Sequence, residues 1–229
     1  MSAWTRKTHC NLAQKGAQMF TGIVQSTAIV DQIEDRPGFR KLRLQVASRF
    51  LQRLEQGASI SINGTCLTVT AFDALTEPGW VQFDLIDETL RLTNLGQLTI
   101  GSAVNFERSL TLGSELGGHI LSGHVQTQAD VLQVVQSRDN WALQLQLPPQ
   151  WQPYVFSKGF IAIDGISLTV GAVEEGRFWL HIIPETLAVT TLGSRQSGDK
   201  VNIEIDQQSY TIVQTVERLL QARGLITPP

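Results

Sequence analysis

The sequence predicts an all-β protein of two tandem, homologous antiparallel barrels followed by one C-terminal α-helix. Three observations lead there. The chain repeats itself nearly end to end, each copy alternates apolar and polar residues at strand period, and the final stretch alone carries a helical stripe.

The copies can be followed element by element. "TGIVQSTAIV" (21–30) aligns with "SGHVQTQADV" (122–131) at an offset of 101, with five identities in ten. "KLRLQV" (41–46) aligns with "ALQLQL" (142–147); Leu42, Leu44 and Val46 alternate with Lys41, Arg43 and Gln45, which suits a strand with one buried face. In "SRFLQRLEQG", Ser48 is the expected N-cap of a short helical turn, with apolar residues at 50, 51 and 54 and Gly57 as its stop. "NGTCLTVT" (63–70) meets "DGISLTVG" (164–171), with four of eight letters shared, and Asn63-Gly64 and Asp164-Gly165 are turn signals. "SISI" and "WVQFDLI" alternate again. The offset then falls to 97, so the first copy has four extra residues, expected in the loop around "DALTEPG" (73–79). "DETLRLTNLG" (87–96) meets "PETLAVTTLG" (184–193) with six identities in ten, and "GSAVNFE" meets "GDKVNIE". Half a dozen short strands per copy fit a small closed barrel, whose closure leaves no sticky edge.

The expected division is a leading tail over 1–18, a first barrel over 19–108, a second over 118–206 and a helix over 207–223, with "SLTLGSELG" as the join. In the helix, positions 210, 213, 216, 219 and 220 fall on one stripe, Asp206 can cap it and Gly224 ends it. That stripe fits a helix lying on its own barrel or one making an oligomer contact. The tail holds Arg6, Lys7 and Lys15 with no acidic residue and no apolar stretch; it reads as a disordered segment or a start codon placed too early.

Composition narrows the function classes. With 42% apolar and 17% charged residues and a net charge of −3, the 229-residue chain has no dedicated nucleic-acid or anionic-membrane surface. No apolar run approaches the roughly 20 residues that span a bilayer. Cys10 and Cys66 are the only cysteines, too few for a disulfide framework or a thiolate zinc site, so reduced thiols in the cytoplasm and no metal are expected.

Six strings in order carry a family resemblance: "MFTGIV" (19–24), "NGTCLTV" (63–69), "ETLRLTNLG" (88–96), "GGHILSGHV" (117–125), "IDGISLTVG" (163–171) and "IPETLAVTTLG" (183–193). Together they resemble riboflavin synthase of the α-chain type, over about 19–223. The resemblance implies two six-stranded closed barrels and a helix joining a homotrimer, with the working site between the first barrel of one chain and the second of its neighbour. It implies a transferase of riboflavin biosynthesis, in which two molecules of 6,7-dimethyl-8-ribityllumazine exchange a four-carbon unit without cofactor or metal. Lumazine synthase is a candidate partner. The rival reading is a lumazine- or flavin-binding protein of the same fold that does not turn its ligand over.

A duplicated cradle makes sense when donor and acceptor are the same compound. Carried over by motif, the first cradle comprises Gly22, Ile23 and Val24, then Cys66, Leu67 and Thr68. It adds the stretch Asp84, Leu85, Ile86, Asp87, Glu88 and Thr89. The second comprises Gly123, His124 and Val125, then Lys158, Ser167, Leu168 and Thr169. It adds His181, Ile182, Ile183, Pro184, Glu185 and Thr186.

Within these sets His124 is the expected proton-transfer residue, because imidazole titrates near neutrality. The alternative is a structural His in a Gly-rich bend. His119, beside Gly117 and Gly118, is a further catalytic candidate or a support for the strand joining the barrels. Cys66 fits an auxiliary role better than covalent catalysis, since an unperturbed thiol is only a few per cent ionised at neutral pH. Ser59, Ser167 and Thr169 could activate water or hold an oxygen, or could satisfy local backbone. Glu88 and Glu185 fit ribityl contact and also the first turn of a helix.

Overall fold

The computed structural model describes residues 19–111, 113–137 and 140–226. The expectation for the leading tail therefore lies outside the described residues. Among the described residues, twelve strands form two closed barrels. The first contains β1 (Ser26–Arg36), β2 (Phe39–Val46), β3 (Ser59–Ile62), β4 (Thr65–Asp73), β5 (Gly79–Ile86) and β6 (Ala103–Arg108). The second contains β7 (Thr127–Gln136), β8 (Trp141–Gln146), β9 (Phe160–Ile163), β10 (Ile166–Glu174), β11 (Arg177–Ile182) and β12 (Lys200–Ile205). Around the first barrel the order is β1-β2-β5-β4-β3-β6, and the second repeats it as β7-β8-β11-β10-β9-β12. All pairs are antiparallel.

The duplication reaches the irregularities. Register shifts occur after Val30 in β1 and after Val131 in β7, and after Val69 in β4 and Val170 in β10. Each bulge bends its strand where a six-stranded sheet must curl shut. The Asn63-Gly64 and Asp164-Gly165 pairs close two-residue hairpins with φ of 45° and 79°, and 46° and 79°, as a type I′ turn requires. The four extra residues fall where expected. β4 and β5 are joined through residues 74–78, whereas β10 and β11 are joined by Glu175 and Gly176, of which Gly176 is the counterpart of Gly79 in β5.

Alternation sets the cores. Leu42, Leu44, Val81, Phe83 and Leu85 are fully buried in the first barrel, matched by Leu143, Leu145, Phe178 and Leu180 in the second. Each such side chain contributes about 1.5–3 kcal/mol through burial. β3 departs from the simple pattern: Ser59 and Ser61 are buried along with Ile60 and Ile62. Its outer face is covered by the other barrel, since a Cβ placed on Gly165 would lie 3.3 Å from Ser61 Oγ.

One local expectation needs correction. The segment after Val46 forms only a four-residue 3-10 turn, Ser48–Leu51, with Ala47 in the cap position. Ser48 does not cap it, because both its N–H and its hydroxyl are taken by the Glu77 carboxylate. Of the terminal stripe, one part packs on its own barrel and the rest is exposed. In α3 (Gln207–Ala222), Asp206 caps as expected, accepting from Ser209 N at 2.8 Å. Tyr210 and Val213 pack on the second barrel beside Trp151, while Val216 and Leu219 remain 48% and 57% exposed. Among the described residues no helix is long and apolar enough to cross a membrane.

The barrels meet at an internal two-fold. Phe20 and Leu121 pair as an antiparallel bridge, with N–H···O distances of 2.9 and 3.0 Å. Around the axis, Asn94 Nδ2 donates to Asp164 at 2.8 Å, Asn105 Nδ2 donates to the Asp164 carbonyl at 2.9 Å, and Asn202 Nδ2 donates to the Asn63 carbonyl at 2.8 Å. Buried polar groups are costly unless paired, so this network fixes how the barrels face each other.

Candidate functional site

Before each first strand runs a short segment held by one carboxylate. Thr21 donates from N and Oγ1 to Glu107 at 2.7 and 2.8 Å, and Gly22 N donates to the other oxygen at 3.2 Å. Ser122 and Gly123 make the same bonds to Glu204, at 2.6, 2.8 and 3.0 Å. Burial pushes both carboxyls above their ordinary range, and these donors pull them back. A folded carboxyl that holds its proton more firmly than the unfolded one contributes stability below about pH 4.5, lost as pH rises through the raised value. The thermal midpoint is thus expected to fall over that window, and less so in a Glu107→Gln, Glu204→Gln variant. Equal slopes for the two proteins would contradict this origin.

The segments then cross over. The Gly22 carbonyl accepts from Ser167 N at 2.8 Å, and the Gly123 carbonyl accepts from Cys66 N at 2.8 Å. Val24 joins the core of the second barrel. The sequence-based grouping is therefore corrected: residues 22–24 belong with Ser167, and residues 123–125 with Cys66. Glycine is required at both crossings. Gly22 and Gly123 have φ of 73° and 74°, and an added Cβ would meet Ser167 Cβ or Cys66 Cβ at 2.6 Å.

The first face holds a cavity of about 340 Å³ lined by Thr65, Cys66, Ile86, Glu88, Thr89 and the 123–125 segment, among others. His124 is exposed there, its backbone N–H donating to Ser122 Oγ at 3.3 Å. Burial pushes the Cys66 thiol up, against a hydrogen bond with Ser59. A protonated thiol at neutral pH suits a weak donor and not a nucleophile. Glu88 lies in the first turn of α1 (Asp87–Leu92), and Thr68, Asp84 and Asp87 are exposed.

On the second face Ser167 Oγ lies 2.6 Å from His119 Nδ1, and the His119 ring stacks on Phe160. Burial pushes His119 below its ordinary value. Ile23 is 48% exposed and Ile183 is 64% exposed, giving apolar surface. Thr169 and His181 point outward, with the His181 ring lying over Gly171. Glu185 sits in the first turn of α2 (Pro184–Val189), followed by half-buried Thr186. Lys158 is exposed at φ 68°, where the first copy has Gly57; their N–H groups make the same bond to Val170 and Val69.

Besides Val24, three expected contact residues point the other way. Leu67, Leu85 and Ile182 are 4%, 0% and 4% exposed and belong to the barrel cores; Leu168 also packs on its core. Strand alternation turns them inward, leaving only their backbones toward the faces. Glu107, Glu204 and Phe160 were not singled out by sequence. The signal for the two carboxylates was there, in the repeated Val-Asn-x-Glu. Among the described residues no three His, Cys, Asp or Glu side chains gather as a metal site.

The lumazine binding domain, as a sequence family, matches residues 21–109 and 122–206. Riboflavin synthase of Escherichia coli K12 is 48% identical over 206 residues, which cover 90% of this chain and 95% of that protein. Riboflavin synthase of Chlamydia pneumoniae is 39% identical over 206 residues, covering 90% and 99%. Among solved structures, LumP complexed with riboflavin superposes with a TM-score of 0.74 at 27% identity, over 82% of this chain and all of that one. LumP complexed with 6,7-dimethyl-8-(1'-D-ribityl) lumazine shares the fold, with a TM-score of 0.73 at 24% identity and 82% of this chain covered.

Proposed function

The chain belongs to the riboflavin synthase family and is an enzyme, and we propose that it joins two molecules of 6,7-dimethyl-8-ribityllumazine. A four-carbon unit passes from one to the other, giving riboflavin and 5-amino-6-(D-ribitylamino)uracil. The observation that carries this reading is the pair of related faces, which keep the same backbone bonds and the same Glu-Thr pair but differ at Cys66 and Ser167. Two like cradles suit one compound in two roles.

In this reading Glu88, Thr89, Glu185 and Thr186 take the ribityl chains, and backbone groups at the strand ends take the ring edges. The donor's 7-methyl proton is acidic because its anion delocalises into the pyrimidine carbonyls. His124 moves that proton, and each well-placed donor to a carbonyl is worth about 2.7–4 kcal/mol. Cys66, Ser59, Ser167 and Thr169 hold or polarise polar atoms of the rings. Holding two reactants in line removes about 7–11 kcal/mol of barrier. The full site forms where the first barrel of one chain meets the second barrel of a neighbour in a cytoplasmic homotrimer, with Val216 and Leu219 at the helix contact. No cofactor or metal takes part.

The test is to give purified protein the lumazine and follow flavin absorbance. One riboflavin per two lumazines consumed is expected. Tight binding without flavin would instead favour a ligand-holding protein, as the likeness to LumP allows.

A further inference from the structure

The two faces differ most in what holds the polar side chain of the hairpin strand. In the first, Cys66 has Ser59 beside it, which opposes the rise that burial gives its thiol. In the second, the position of Ser59 is taken by Phe160, which is 50% exposed. Its ring lies 5.1 Å from that of His119 at an interplanar angle of 18°, a stacked pair. His119 is 7% exposed, its Nδ1 is 2.6 Å from Ser167 Oγ, and its Nε2 has no partner among the described residues. The residue 101 positions before His119 is Gln18, so the first copy's sequence has no imidazole to match it.

A serine hydroxyl can donate to a bare imidazole nitrogen, and burial favours the neutral ring. With the Ser167 hydroxyl as donor and Nδ1 as acceptor, neutral imidazole carries its proton on Nε2, the buried atom without a partner among the described residues. Leaving such a donor unpaired is unfavourable, so it marks a place where an acceptor is expected.

We propose that Phe160, His119 and Ser167 act as one unit that orients the Ser167 hydroxyl toward the ring held by the second face. His119 is a positioning residue: Nδ1 turns the Ser167 proton away from the ligand and leaves the oxygen lone pairs toward it. The Nε2 proton is offered to a carbonyl or ring-nitrogen acceptor of the same heterocycle. Phe160 fixes the imidazole plane. The first face, with a thiol and a small hydroxyl, holds the same compound without this constraint. The inference rests on reading the second face as a lumazine cradle.

The experiment uses the full chain and has two arms. Nitrogen-15 NMR of the ligand-free protein is expected to find His119 as the Nε2–H tautomer, relaxing to a mixture in Ser167→Ala; the Nδ1–H tautomer in the unsubstituted protein overturns the proposal. In the kinetic arm, His119→Gln is expected to lower kcat roughly ten- to hundredfold, the scale of a misplaced reacting group, with KM changed far less. His119→Asn, whose amide reaches where Nδ1 lies, recovers most of that loss. Adding Ser167→Ala to His119→Gln brings no further loss, as for residues that act together. Losses that multiply, or an Asn variant no better than Gln, overturn it. Should the unsubstituted protein make no flavin, the proposed reaction fails, while the tautomer arm still decides this unit. The same arm decides it if His119→Gln does not fold.

Discussion

Replacing His124 by alanine is expected to slow riboflavin formation by more than tenfold, since positioned acid–base groups typically contribute about 10²–10⁴. The expectation rests on placement. His124 is exposed on the wall of the cavity that Cys66, Glu88 and Thr89 line, and its backbone is pinned through Ser122 to Glu204. Its side chain bears on no described core cluster, so the thermal midpoint should stay close to that of the unsubstituted protein. The measurement is single-turnover flavin formation beside a melting curve. A variant that keeps its turnover would remove His124 from proton transfer, and a melted variant would show that its role is in the segment's fold.

Much of the fold was legible because it is written twice. Leu42, Leu44 and Val46 announce their inward face, and Asn63-Gly64 and Asp164-Gly165 announce their turns. Asp206 announces its helix. The candidate site was legible only as segments. Alternation says which side of a strand is buried but not what covers the other side. Hence Ser59 and Ser61 gave no sign of lying under a second barrel, and residues 22–24 gave no sign of crossing to Ser167. Leu67, Leu85 and Ile182 entered the site because motif likeness transfers stretches of chain, whereas side-chain direction follows strand parity. The 2.6 Å contact of His119 with Ser167 joins residues 48 apart, and no local pattern encodes it.

Asp164→Asn is expected to weaken the fold by about 2–4 kcal/mol, somewhat under the usual cost of breaking a buried ion pair because Arg195 keeps some solvent. Asp164 is fully buried, and its carboxylate accepts from Arg195 at 2.6 Å, from Asn94 Nδ2 at 2.8 Å and from Asn202 N at 2.8 Å. Burial pushes this carboxyl up, and the Arg195 guanidinium is the largest influence opposing it. Asparagine tolerates the φ of 46°, as Asn63 does at 45° in the first copy, so the backbone is not the cause of the expected loss. The duplication supplies the control. Where the second copy has Asp164 and Arg195, the first has Asn63 and Leu98, a neutral residue and an apolar one. Arg195→Leu added to Asp164→Asn writes the first copy's solution into the second and removes the stranded guanidinium. Urea unfolding should therefore place the double variant nearer the unsubstituted protein than Asp164→Asn alone. A double variant as weak as the sum of its parts would mean that the pair is not the coupled element, and that the Asn94 and Asn202 bonds to this carboxylate hold the junction by themselves.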